Sequence, residues 1–214
     1  MTTFPGSPSV TKGAIVSIGL ASVPSVVVLQ YNPEQLSRTI RPRYLQTGEV
    51  PVESQILVGP PEETISLSAQ INAVDQLERA SVIAESTGIY PQLSALEMLL
   101  FPTSLQVMAD VAQMALGVIE VTPASGPVTI FYWGAKRVVP VQITDYTAVE
   151  TLHDPNLNPI AADVSLTMRV LTYQDFTVTQ AGFYLYLSNL VVREGLATIG
   201  TVGSIAGLAG LKLP

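Results

Sequence analysis

The chain predicts an α+β fold, mainly β, with a helical insert between strands. Three observations carry that expectation. Thr64-Ile65-Ser66-Leu67-Ser68-Ala69-Gln70-Ile71 alternates polar and apolar residues, the period-two signature of a half-buried strand. From Ala73 the apolar spacing lengthens to that of a helix, and it stays so to about residue 119. Strand patterns then resume after Pro123-Ala124-Ser125-Gly126-Pro127, a strong loop signal.

Taken in order, residues 1–12 read as a flexible arm rich in Pro, Ser and Thr. Two β-rich runs follow, Ala14 to Leu20 and Val26 to Tyr31, with a turn expected around Val23-Pro24-Ser25. At Tyr31-Asn32-Pro33-Glu34-Gln35-Leu36-Ser37 the strand is expected to end in a short helical turn. Asn32 can cap it, Pro33 suits the first helical position and Glu34 complements the positive end. Residues 37–45 read as a strand holding Arg38, Arg41 and Arg43, and Pro42 places it at a sheet edge. A loop with Gly59-Pro60-Pro61 precedes the alternating strand. Helical runs are expected at 73–85, 91–100 and 104–119, and strands at 128–133, 137–145, 147–152 and 161–172. His153 to Pro159, with Asp154-Pro155 and Asn158-Pro159, reads as a generous hairpin loop. The organisation expected is therefore an arm at 1–12, a β domain with its insert (about 73–119) at 13–175, and a C-terminal helix and Gly-rich tail at 176–214.

Composition narrows the function. The 214 residues carry a net charge of -7, and only 13% are charged while 48% are hydrophobic. An average soluble domain has about 25% charged residues, so part of this surface is expected to meet lipid or other protein. Ten scattered basic residues leave no footprint for nucleic acid. Cysteine is absent, which excludes disulfides and thiolate chemistry. The one histidine, His153, has neither a second histidine nor a tight carboxylate cluster nearby in sequence, so neither a metal nor another cofactor is expected. No P-loop, dinucleotide fingerprint or nucleophile elbow is present. Glu62 and Glu63 are neighbours whose side chains point apart on an extended segment, and they read as a solvated rim. Trp133 reads as core packing, with a subunit interface as the alternative.

Three uncharged stretches test the lipid reading. Gly13 to Pro33 is interrupted by Gly13, Gly19, Pro24 and Pro33, which suits two strands better than a membrane helix or a signal peptide. Phe176 to Val192 reads as a half-buried helix from about Gln180. The tail, Gly195 to Leu211, has glycines at 195, 200, 203, 207 and 210, with a GxxxG spacing at Gly203 and Gly207. Glycine is a poor helix former in water, so a flexible or partner-ordered tail is expected, and membrane contact through it stays open.

Three motifs in order resemble a known family. They are Tyr31-Asn32-Pro33-Glu34-Gln35-Leu36-Ser37-Arg38 after a strand, Pro127-Val128 to Trp133-Gly134 followed by Pro140 to Ile143, and Asn158-Pro159-Ile160-Ala161-Ala162 leading into a long strand. Over residues 14 to 173 the set resembles the tube-adaptor or baseplate-hub component of contractile injection systems, which are phage-tail-like particles. The resemblance implies a tail-tube-like β-barrel or sandwich with a flanking helix, assembled as a homohexameric ring and without enzymatic activity. It implies partners in further copies of the chain, a spike or hub protein and an inner-tube protein, with baseplate wedge proteins as further candidates. Assembly is then cytoplasmic, within a particle whose release from the cell stays open. Tyr31, Asn32, Pro33, Glu34, Leu36, Arg38, Arg41, Arg43, Trp133, Gly134, Asn158 and Pro159 become the motif and interface candidates, and the three arginines the expected cross-subunit partners of acids. Many family members add a glycan-binding LysM module. This chain shows none after residue 173, so glycan binding is not expected. An inner-tube variant or a terminal cap of the same machine, a protein held at a membrane by its tail, and a hydrolase using His153 remain the alternatives.

Overall fold

Alternating side chains build one seven-stranded antiparallel sheet. The computed structural model describes residues 11–18, 25–45, 56–78, 82–115 and 128–209. The strands are β1 (Ala14–Ile18), β2 (Ser25–Val28), β3 (Leu36–Arg41), β4 (Glu62–Asn72), β5 (Val128–Tyr132), β6 (Val138–His153) and β7 (Pro159–Val170). Their order across the sheet is β2-β1-β5-β6-β7-β4-β3, so β3 is an edge, as Pro42 predicts. On β4 and β7 the odd and even positions respectively face the core: Ile65, Leu67 and Ala69 meet Val164, Leu166 and Met168, all buried. The opposite face carries Ser66, Ser68 and Gln70 beside Asp163, Ser165 and Thr167. It is covered mainly by hydroxyls and amides rather than charges.

The sheet curls until its ends meet. Across a flat sheet β2 and β4 would lie five strand spacings apart, about 24 Å. Instead the Gln30 side chain, just past β2, donates to the Asn72 carbonyl at 2.7 Å and accepts from the Asn72 N–H at 2.8 Å. One primary amide thus does at the seam what a neighbouring peptide would do. The chain then crosses from pairing with β1 to pairing with β4 through residues 29–35. Asn32 holds that corner, accepting from the Gly13 N–H and donating to the Thr11 carbonyl, both at 2.9 Å. No helical turn forms there, contrary to the capping expectation. The Asn32 amide is spent on residues 11–13, which lead into β1 beside β2, so none is left for a local cap.

Among the described residues the insert forms four helices, α1 (Val74–Glu78), α2 (Val82–Thr87), α3 (Tyr90–Glu97) and α4 (Ser104–Ala115). Asn72 starts α1 by accepting from the Val74 N–H at 2.8 Å. Thr103 and Gln106 form a reciprocal capping box at the start of α4. Ile89, Leu93 and Leu96 enter the same core as the sheet. Gly88, with φ 57°, makes the turn that brings the Ile89 N–H to the Pro159 carbonyl at 2.8 Å.

Two further expectations change. The strands expected at 137–145 and 147–152 are one strand, β6, whose irregularity at Ile143/Asp145 is a bulge rather than a break. The stretch from Gly195, expected to be flexible or ordered only by a partner, is helical as far as it is described: α5 runs from Ala181 to Ala209 as one helix through Gly195, Gly200, Gly203 and Gly207. The arm at residues 1–10, the turn at Val23-Pro24 and the Pro123 to Pro127 loop lie outside the described residues.

A Cβ at Gly88 would collide with the Pro159 carbonyl oxygen, on a backbone already at positive φ. Gly88→Ala is therefore expected to cost at least about 2 kcal/mol. Denaturant unfolding followed by the fluorescence of Trp133, the one tryptophan, measures it.

Candidate assembly site

Hydrogen-bond parity locates the backbone groups that the fold leaves unpaired. Asn72 turns its peptide groups toward the seam, so in β4 the even residues face β3 and the odd residues face β7. Carried through the registers, Ser37, Thr39 and Arg41 of β3 bond to β4. Leu36, Arg38 and Ile40 then point their N–H and C=O groups outward. In β6, Gln142, Asp145, Thr147 and Val149 bond to β7, while β5 covers only Val138 to Val141. Ile143, Tyr146, Ala148 and Glu150 therefore present a second open edge about 25 Å long. Each edge carries charge: Arg38 on β3 lies on the face of the buried Ile65, and the distal half of β6 carries Asp145 and Glu150, which restricts the partners either edge can accept.

Beside the β3 edge stands a charge cluster. Glu63 is 3% exposed. Its carboxylate accepts from Arg38 Nε at 2.6 Å and from both terminal nitrogens of Arg193, on α5, at 2.8 and 3.0 Å. Arg137 lies close by. Burial first, then Arg38 and Arg193, push its guanidinium below the ordinary arginine value, against the pull of Glu63. Three cations thus surround one carboxylate. Glu63 is not part of a solvated rim, as sequence adjacency suggested. Its neighbour Glu62 is exposed and the two do point apart, but the buried side meets arginines that come from 25 and 130 residues away.

The motif residues turn out to sit at junctions. Tyr31, Asn32, Pro33 and Glu34 form the corner, with Leu36 packed against the core. Trp133 stacks on Phe131, with ring centroids 5.8 Å apart, and lies over Gly13. Gly134, at φ 74°, opens the turn from β5 to β6. Asn158 ties the hairpin tip together through Asp154 Oδ2 at 2.8 Å and reaches the Ser86 carbonyl at 3.3 Å, while Pro159 receives the insert. Arg38 is held by Glu63 within its own chain. Arg41 and Arg43 are exposed, and Arg41 stands opposite Glu62. Gln30, Glu63 and Arg193 were not anticipated. No local pattern signals them, because each works through a partner remote in sequence.

Two clefts flank these features. One, of about 350 Å³, is lined by Arg43, Glu62, Arg169 and Asp175. The other, of about 430 Å³, lies between the β2 edge and α3 and includes Gln30, Gln92 and Leu96. Among the described residues, no group of three His, Asp or Glu side chains could hold a metal ion. His153 is exposed and lies 3.2 Å from Glu150. Among the described residues no helix is long and apolar enough to cross a membrane.

No protein-family model matches the chain, and no curated protein matches it. Among solved structures it is similar to a chain in the tail of an empty GTA particle with C6 symmetry. The identity is 13%, coverage is 74% of this chain and 90% of that one, and the TM-score is 0.30. A chain in the virion of a native gene transfer agent (GTA) particle gives the same identity and coverage with a TM-score of 0.29.

Removing Glu63 leaves three guanidinium groups facing one another, whereas removing Arg193 leaves Glu63 still paired with Arg38. Glu63→Ala is thus expected to destabilise more than Arg193→Met, with the first costing about 3 kcal/mol. Urea unfolding that gave the reverse order would contradict the cluster. A pH effect comes from Asp175, at the turn before α5. Burial raises its pKa, but the Thr172 N–H and hydroxyl, together with Arg169, outweigh that, leaving it below the ordinary 3.8. A depressed carboxylate stabilises fully above its unfolded pKa. That contribution is lost as pH falls from about 3.8 through the folded value. Asp175→Asn should flatten this acid limb in a stability-against-pH series while leaving the neutral-to-alkaline limb in shape.

Proposed function

We propose that the chain is a non-enzymatic ring subunit of a phage-tail-like contractile injection particle, joining the spike or baseplate hub to the inner tube. The observation that carries the self-assembly is the pair of open edges, β3 and the distal half of β6. They are different surfaces of one chain, so pairing them head to tail continues the sheet from copy to copy and closes into a ring when the rotation allows. The place in a contractile particle is supported by the ordered motifs at Asn32-Pro33, Trp133-Gly134 and Asn158-Pro159. Their positions at barrel junctions suit a subunit whose work is to hold shape. A rigid hollow adaptor of this kind would pass load between sheath, spike and tube without doing chemistry.

Negative-stain microscopy of the purified chain across a concentration series is expected to show rings about 100 Å across, for subunits of ordinary domain size. Rings that stack into long tubes under the same conditions would mark an inner-tube subunit instead. Ala148→Pro and Ile40→Pro each remove an outward N–H without removing a ladder bond inside the chain. Each is expected to abolish rings while the circular dichroism stays that of the parent. A parent chain that remains monomeric at every concentration would overturn the proposal.

A further inference from the structure

We infer that β3 of one copy pairs antiparallel with the distal half of β6 of the next, in one register that sets Arg41 against the neighbour's Asp145. The inference rests on the ring proposed above and specifies its joint, whatever particle the ring belongs to.

Direction follows from the face on which each outward-bonding residue stands. Leu36, Arg38 and Ile40 lie across from Leu67, Ile65 and Glu63, which are buried, so their side chains share the inner face. Tyr146, Ala148 and Glu150 lie across from Leu166, Val164 and Ala162, again the inner face. In an antiparallel pair, residues that exchange hydrogen bonds stand directly opposite, with their side chains on one face. Inner face then runs on into inner face from copy to copy. In a parallel pair the slanted bonds of Arg38 would reach Tyr146 and Ala148, the residues flanking Thr147. Thr147, which stands on the outer face across from Ser165, would then lie opposite Arg38. The neighbour would be turned inside out.

Register follows from where regular pairing stops. β3 ends at Arg41, and Pro42, the next outward position, has no N–H to give. In β6 the bulge between Ile143 and Asp145 closes one end of the regular stretch, and the irregularity between Glu150 and Leu152 closes the other. A single antiparallel register uses every outward residue between these limits: Leu36 with Glu150, Arg38 with Ala148 and Ile40 with Tyr146. A shift of two residues sets Pro42 against Tyr146 in one direction and Ile40 against the bulge in the other.

The intervening pairs complete the match. Thr39 meets Thr147 and Arg41 meets Asp145, all exposed and on the outer face. Threonine pairs, opposite charges and a β-branched residue beside an aromatic ring, as at Ile40 and Tyr146, are favourable cross-strand neighbours. Arg38 lies diagonal to Glu150, within reach of a long side chain. Charge thus selects a second copy as the occupant. The chain carries its own complement, opposite in sign, equal in usable length and matched in face.

Thr39 and Thr147 give the test. Facing residues of a non-hydrogen-bonded pair bring their Cα atoms about 4.5 Å apart, which a disulfide can span. The chain has no cysteine. Within one copy the two sites lie three strand spacings apart across the sheet, about 14 Å, too far to bridge. A Thr39→Cys/Thr147→Cys chain is purified reduced, checked by circular dichroism and negative stain, then oxidised. Non-reducing gels are expected to show a ladder of covalent oligomers that stops at the closed ring. Ser37→Cys/Thr147→Cys and Thr39→Cys/Val149→Cys, each two residues out of register, are expected to lose that ladder. Equal ladders from the shifted pairs would overturn the register. Dimers from Thr39→Cys alone would mean that like edges pair, and would overturn the inference. Rings that form but never link would overturn it while leaving the ring standing. Monomers throughout, the result expected if a different protein fills these edges, would overturn both.

Discussion

The fold depends on a seam closed by side chains rather than by a strand ladder. Gln30 offers Asn72 the same donor and acceptor that a peptide would, at 2.7 and 2.8 Å. A true ladder at this place would require β2 to run on against β4, and β3 could not then pair with the first half of that strand. Because a single amide suffices, the chain is free to turn the corner through Asn32-Pro33. Pro33 has no N–H to leave unpaired there. The corner sets β3 on β4 with its outer face bare, and so creates one of the two open edges. The curl of the sheet around its core and the exposed pairing edge both follow from that crossing.

The alternation in β4, the period change at the insert and the edge character of β3 were all legible in the sequence, because each depends on residues close together in the chain. Asn32 shows where legibility ends. An asparagine before a proline satisfies the rule for a helix cap and equally the needs of a long-range tie, and only the position of Gly13 decides between them. Glu63 is a second case. Its sequence neighbourhood is that of an exposed loop end, but two guanidinium groups from β3 and α5 allow a carboxylate to be buried that would otherwise be excluded. Burying it latches α5 to the edge of the sheet. The motif residues stand at junctions, and a junction has no signature apart from the two elements it joins.

The tail inverts the usual weight of propensity. Five glycines lie within α5, each costing about 1 kcal/mol in a solvated helix. Composition alone therefore argues for coil. A helix that persists through them is better suited to a covered environment than to water, since glycine's cost falls where close backbone approach is gained in return.

Charge bears on how such surfaces could be buried together. Six copies at -7 each would carry -42, a repulsion that any ring has to overcome or screen. The hydroxyl-rich face of β4 and β7 reduces the problem by wetting a large surface with few charges. The Glu63 cluster goes further, because Arg38, Arg137 and Arg193 exceed their one carboxylate by two positive charges next to the β3 edge. In the proposed head-to-tail pairing, the edge that arrives there is the distal half of β6, which carries Asp145 and Glu150. Acid-bearing and arginine-bearing edges would then attract each other even though the chains as wholes repel. Like-with-like pairing of either edge would bring equal charges together. The same electrostatics would thus reject two-fold dimers and favour the one arrangement that can close a ring.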